Sequence, residues 1–150
     1  MYTEDRVVLK VEQFNNNDVS SLIELSSSVG WDYDENEIKT ILSSGKIYGH
    51  KNPEGKIVSC AAIIPYDTNL ASIGMVIVHS DYRGIGLGKE VTQQCIASVS
   101  KETSIMLIST DEGKPLYESL GFRTVDVVHK FLCEIFDCNS VEVNNEFTLD

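Results

Sequence analysis

The feature that most constrains this chain is a change of period near residue 83. Residues 70–79 read Leu-Ala-Ser-Ile-Gly-Met-Val-Ile-Val-His, an apolar run suited to a strand, and end in Ser80-Asp81-Tyr82. The chain continues Arg83-Gly84-Ile85-Gly86-Leu87-Gly88-Lys89, after which Leu87, Val91, Cys95 and Val99 recur every fourth residue with Ile96 beside them. That stripe is one face of a helix. A strand feeding a glycine-rich turn that opens a helix leaves the first helical amides without partners, at the positive end of the helix dipole. Such a site suits a phosphate or pyrophosphate, and Arg83 at its mouth adds a charge-assisted hydrogen bond. The turn lacks the Gly-Lys-Ser/Thr ending of a Walker loop. It fails the dinucleotide pattern too, because the last glycine of G-x-G-x-x-G, counted from Gly84, falls on Lys89.

The rest of the chain supplies elements around this turn. Residues 6–12 alternate in polarity and predict a strand. Asn15-Asn16-Asn17-Asp18 offers N-caps to a helix carrying Val19, Leu22 and Ile23, closed by Gly30, and a second helix is expected over 34–43. Residues 46–50, 57–64 and 70–79 then predict an antiparallel meander, its first turn being Asn52-Pro53-Glu54-Gly55. After the long helix, residues 105–108 suit a buried strand and Pro115 opens a short helix through Leu120, ended by Gly121. Strands are expected over 125–128 and 130–136. The reading is an α/β (α+β) domain over 1–136, with a central mixed, mostly antiparallel sheet flanked by helices, order β-α-α-β-β-β-α-β-α-β-β. Residues 137–150 are polar and read as a C-terminal tail holding a strand end and a loose segment.

Composition narrows the function classes. The net charge is −11, from 12 basic and 23 acidic residues. That balance opposes nucleic-acid binding, which needs a basic footprint, and suits a cationic substrate. No apolar run approaches the roughly 20 residues of a membrane span, and the N-terminus has no signal-peptide pattern, so a cytoplasmic protein without a membrane partner is expected. Cys60 and Cys95 lie in apolar runs, and Cys133 and Cys138 have poor ligand spacing. Buried thiols, not a metal site, are expected.

Two motifs together carry a family resemblance. Val78, the four residues His79-Ser80-Asp81-Tyr82 and Arg83-Gly84-Ile85-Gly86-Leu87-Gly88 resemble the coenzyme A signature of the GNAT family of N-acetyltransferases, Arg/Gln-x-x-Gly-x-Gly/Ala after a strand ending in Val. One helix and one strand later, Pro115-Leu-Tyr-Glu-Ser-Leu-Gly-Phe122 is similar to the family's Leu-Tyr-x-x-Leu-Gly-Phe. The succession of elements over 7–136 is the family's as well.

The resemblance implies acetyl-CoA as cosubstrate and an N-acetyltransferase activity, with a non-catalytic acetyl-CoA sensor as the alternative. It implies that amides of Arg83, Gly84, Ile85, Gly86, Leu87, Gly88 and Lys89 hold the pyrophosphate. Backbone groups of Val76, Ile77 and Val78 would pair with the pantetheine arm, in a cleft where that strand splays from the one at 105–109. It makes Tyr117 the general acid for the departing thiolate; a core aromatic is the plainer reading. No carboxylate interrupts residues 73–78, where many members carry a Glu, so His79, Asp111 and Glu112 are left as bases, His79 first because imidazole is the usual proton acceptor near neutral pH. Thr110 and Gly113 stand where many members have Asn and Ala. Trp31 and Tyr33, among the acids Asp32, Asp34 and Glu35, are candidates for gripping an ammonium, or for capping the second helix. The expected acceptor is a small-molecule or peptide amine, and a homodimer is an allowed assembly. Chains with a Gly-Lys/Arg-Pro-Leu-Tyr run often carry a second, smaller domain, expected here after residue 150 or absent.

Overall fold

Local capping starts the structure. The Asn15 side chain accepts from the Asn17 amide while Asp18 accepts from the Asn15 amide, a capping box around a 3-10 turn over Asn16–Asp18. Helix α1 (Val19–Ser28) follows and buries Val19, Leu22 and Leu25. Asp34 and Glu37 form a second capping box at the head of α2 (Glu35–Ser44), which buries Ile38. Between them, Gly30 adopts φ +84°, the left-handed conformation that ends α1.

The computed structural model describes residues 9–66, 69–109, 113–127 and 145–149. Their strands are β1 (Glu12–Gln13), β2 (Lys46–Lys51), β3 (Ile57–Pro65), β4 (Leu70–Val78), β5 (Ser104–Ser109), β6 (Phe122–Val127) and β7 (Asn145–Leu149). They form one sheet in the order β1-β2-β3-β4-β5-β7-β6. Every neighbouring pair is antiparallel except β4 and β5, which the crossover helix α3 (Leu87–Ala97) makes parallel. Helix α4 (Lys114–Ser119) links β5 to β6, with Pro115 in its first turn.

The two ends of the chain depart from the sequence reading or lie beyond the described residues. The strand read over 6–12 is described only at Glu12–Gln13, and residues 1–8 lie outside the described residues. The strand expected over 130–136 also lies outside them. The tail read over 137–150 is corrected at Asn145–Leu149, which inserts between β5 and β6 and pairs antiparallel with both. Phe147 and Leu149 alternate with Glu146 and Thr148, a period-two pattern hidden by the polar composition around it, and pairing on both sides makes the segment an interior strand.

Two apolar layers sandwich the sheet. On one face α3 and α4 cover Tyr48, Ala61, Ile63, Ala71, Ile73, Ile105 and Leu107. On the other, α1 and α2 cover Ile47, Cys60, Ala62, Met75 and Ile77. Within β4 the inward side switches: Ile73 belongs to the first layer, but Met75 and Ile77 belong to the second. Strict alternation would keep all three on one face. The cause is a β-bulge. Cys60 pairs with Ile77 and Ala62 with Gly74, so Ala61 faces both Met75 and Val76. Met75 takes φ +54°, a left-handed conformation costing about 1–2 kcal/mol for a side-chain-bearing residue. Burial of its side chain, 4% exposed, contributes about 1.5–3 kcal/mol and offsets that strain. The Cys60 thiol donates to the Met75 carbonyl at 3.2 Å, satisfying a group in the bulge.

Burial pushes the Cys95 thiol up from 9.0 to about 12, and pushes the Cys60 thiol up as well. In the unfolded chain both ionise at their ordinary values, so above pH 9.0 the native state retains protons that the unfolded state loses. Stability therefore falls as pH rises through that range. Urea midpoints are expected to hold from neutral pH to about 9 and then drop steadily, with a shallower drop in Cys95→Ala; a flat midpoint up to pH 11 would contradict the sealed thiols.

Candidate active site

The bulge opens the sheet. Pairing between β4 and β5 runs from Leu70↔Ser104 to Ile73↔Leu107 and stops there, although β5 continues to Ser109 and β4 to Val78. Beyond Ile73 the β4 edge that faces β5 is unpaired with it, which is the splay expected for this strand. His79 donates its amide to the Val58 carbonyl, so by strand alternation Ile77 also turns its backbone groups toward β3. Val76 and Val78 then present theirs to the cleft. The Val78 carbonyl accepts from Arg83 Nε at 3.2 Å on that side.

The glycine turn sits at the end of this edge. Gly84 and Gly86 take φ +83° and +89°, and a Cβ on either would meet nothing within 4 Å. They are required by backbone conformation, and nothing among the described residues fills the space before them. Gly88 serves otherwise: a Cβ there would touch Val78 Cγ2 at 3.4 Å and Leu116 Cδ2 at 3.5 Å. It lets α3 approach the end of β4 and the side of α4.

Gly86 is the N-cap of α3, and no side chain caps it. The Glu90 amide donates to the Gly86 carbonyl at 3.0 Å, the first intrahelical bond, so the Leu87, Gly88 and Lys89 amides precede any helical acceptor. Arg83, Ile85 and Lys89 are exposed around them. Uncapped amides, an exposed guanidinium and unfilled space fit a diphosphate.

Tyr117 lies on α4 in the layer covered by α3, 7% exposed, with its ring edge-on to Phe122 at 6.3 Å. Burial raises its hydroxyl from 10.0 to about 12, so it remains protonated at neutral pH. His79 is the N-cap of the 3-10 turn Ser80–Tyr82; its Nδ1 accepts from the Asp81 amide at 3.1 Å and its ring meets Tyr82 edge-on at 6.0 Å. With Nδ1 accepting, the neutral ring carries its proton on Nε2. Thr110, Asp111 and Glu112 lie outside the described residues. Gly113 is the N-cap of α4.

Trp31 is 40% exposed with its ring 6.2 Å from that of Tyr33. Tyr33 is half-buried against the layer holding Met75 and Cys60, and its hydroxyl is pushed up to about 12, first by burial and then by Cys60 and Glu37. It lines an open depression of about 380 Å³ with Asp34, Asn36, Glu37, Thr40 and Ile41. Asp34, read as a substrate contact or a cap, is a cap.

Comparison with known proteins follows the same lines. The family model described as an acetyltransferase (GNAT) domain matches residues 34–131. The chain belongs to the GNAT acetyltransferase family. Its relatives include the uncharacterized N-acetyltransferase YitH of Bacillus subtilis, 36% identical over 143 residues, covering 95% of this chain and 50% of YitH. The chain spans about half the length of the curated relatives it matches first. Among solved structures, a GNAT-family acetyltransferase from Staphylococcus aureus superposes with a TM-score of 0.72 at 20% identity, over 95% of this chain and 98% of that one. Rv2747 from Mycobacterium tuberculosis, solved in complex with CoA and NLQ, superposes with a TM-score of 0.73 at 14% identity, over 93% of this chain and 98% of that one. At these identities the two structures show the GNAT fold.

No local pattern announces the left-handed Met75. Apolar residues on both sides of it read as one continuous strand, and only the pairing with β3 exposes the extra residue. Two alanine substitutions separate the glycine roles. Gly86→Ala in the GNAT turn is expected to lose about 1–2 kcal/mol of unfolding free energy to left-handed strain. Gly88→Ala, inside a helix and at contact distance, is expected to change stability by less than about 1 kcal/mol. Chemical denaturation of both variants reads the difference.

Proposed function

We propose that this GNAT domain is an acetyl-CoA-dependent N-acetyltransferase that moves the acetyl group to a primary amine of a small molecule or peptide by direct transfer in a ternary complex. The observation that carries the reading is the continuity of two backbone surfaces: among the described residues the edge of β4 beyond Ile73 pairs with no strand, and it runs into the uncapped amides that open α3. An extended, amide-bearing arm ending in a diphosphate matches both at once. The Mycobacterium tuberculosis structure of this fold, solved with CoA, supports the choice of ligand.

In this reading the amides of residues 83–89 hold the diphosphate, and Arg83 leaves the Val78 carbonyl to add its charge. That movement frees Val78 to pair with the pantetheine arm, beside Val76, while Ile77 keeps the strand in register from the β3 side. When bound, acetyl-CoA supplies a thioester: the amine forms the C–N bond, the C–S bond breaks, and the proton lost by the nitrogen balances the one gained by the sulfur. Tyr117 serves the sulfur end. Its pKa of about 12 against a thiol value of about 8.5 makes complete proton transfer uphill by roughly 5 kcal/mol at the free values. The hydroxyl therefore acts first as a hydrogen-bond donor to the developing thiolate, while the nitrogen, strongly acidic once acylated, supplies the net proton. His79 caps its turn through Nδ1, so its contribution in this reading is to shape the loop, not to act as the base.

The acceptor wall is the α1–α2 connection, where Trp31 and Tyr33 flank the acid-lined depression. An overall charge of −11 favours the approach of an ammonium-bearing acceptor.

Calorimetric titration of coenzyme A and thiol release across a panel of amines test the proposal. Gly86→Glu places a carboxylate at the diphosphate site and is expected to abolish binding, while circular dichroism stays that of a folded domain. Unchanged affinity would reject that placement. Tyr117→Phe is expected to lower turnover about tenfold or more with little change in affinity; equal turnover would return Tyr117 to the core. Tight binding with no turnover for any amine would replace the enzyme reading with that of a sensor.

A further inference from the structure

His50 is 0% exposed, yet both of its ring nitrogens are engaged. Its Nδ1 lies 2.6 Å from Ser59 Oγ and its Nε2 lies 2.5 Å from Glu90 Oε1. Ser59, also 0% exposed, faces His50 across β2 and β3 and faces Val78 across β3 and β4. Glu90 sits in the first turn of α3 with its side chain 52% exposed. The three groups thus link β2 and β3, the latter the neighbour of the open-edged strand, to the helix turn whose amides are uncapped. The order Ser–His–acid resembles a hydrolase triad, but the serine is sealed inside the sheet and no substrate could reach it. Apolar packing alone explains neither the burial of an imidazole nor its reach to a helix carboxylate.

We propose that His50 is a positioning residue for the coenzyme site, acting through Glu90 to fix the first turn of α3 over the sheet. The inference rests on the proposed diphosphate site for its consequence, and on the described geometry for the tie itself. Leu87, Gly88 and Lys89 owe their shared direction to the orientation of that turn, and Gly88 allows the close approach on one side. The His50–Glu90 contact fixes the other. The carboxylate so held stands beside the site for a dianion, where as a bare charge it would repel the ligand. The tie directs it to the imidazole instead.

This assigns opposite signs to two roles for Glu90. If it were only a nearby negative charge, removing it would tighten coenzyme A binding. If it anchors the turn, Glu90→Ala weakens binding by about tenfold, as expected for a lost hydrogen bond to a charged group. Glu90→Gln, which keeps an oxygen facing the imidazole, stays within about threefold of the wild type. Turnover at saturating cosubstrate is unchanged in both. Because Glu90 is half-exposed, these variants fold where His50→Ala, which empties a buried site, would not be a fair test.

The tie is also read without ligand. Amide hydrogen exchange of residues 90–95 is expected to quicken about tenfold in Glu90→Ala and to remain near wild type in Glu90→Gln. Unchanged exchange in Glu90→Ala overturns the tie. Faster exchange with unchanged or tighter coenzyme A binding overturns the positioning role. If the wild type itself fails to bind coenzyme A, the diphosphate site falls, and the exchange result still decides whether His50 holds the helix.

Discussion

One extra residue in one strand sets the geometry of this domain. The bulge at Met75 and Val76 turns β4 over, so that the strand buries Ile73 under α3 and Met75 under α1 and α2. A regular strand would have continued to pair with β5 beyond Leu107, leaving no cleft. Left-handed strain at Met75 persists because the same bulge buries its side chain and gives its carbonyl the Cys60 thiol. The core on one side of the sheet thus maintains an opening that faces β5.

The glycine turn depends on that opening without creating it. Left-handed Gly84 and Gly86 let the chain reverse at the end of β4 and start α3 with its amides forward. Gly88 then lets the helix settle against Val78 and Leu116. The same closeness brings α4, and with it Tyr117, beside the end of the open strand. A buried tyrosine that stays protonated, a strand edge that has parted from β5 and a positive helix terminus gather at one end of the sheet because β4, α3 and α4 meet there.

Much of this was legible in the chain itself. Both capping boxes lie within four residues of sequence, so Asn15 and Asp34 marked helix starts without any tertiary help. The meander, the long helix and the short helix after Pro115 followed from period and punctuation. The glycine turn was readable because φ restrictions and missing amide partners are local properties. Two motifs at the right separation then sufficed to suggest the family. What local pattern could not reach was the place of residues 145–149 in the sheet, between β5 and β6, both of which precede them in the chain.

Sequence alone determined where helices begin, where the chain must turn left-handed, and that α3 would open on uncapped amides after Arg83, since each is decided by neighbours a few residues apart. Tertiary structure decided the rest. It set two residues of β4 against one of β3, turned Ile77 inward and Val78 outward, and joined His50 to Glu90 across forty residues. These depend on register and on packing between distant segments, and no short-range preference of the chain encodes them.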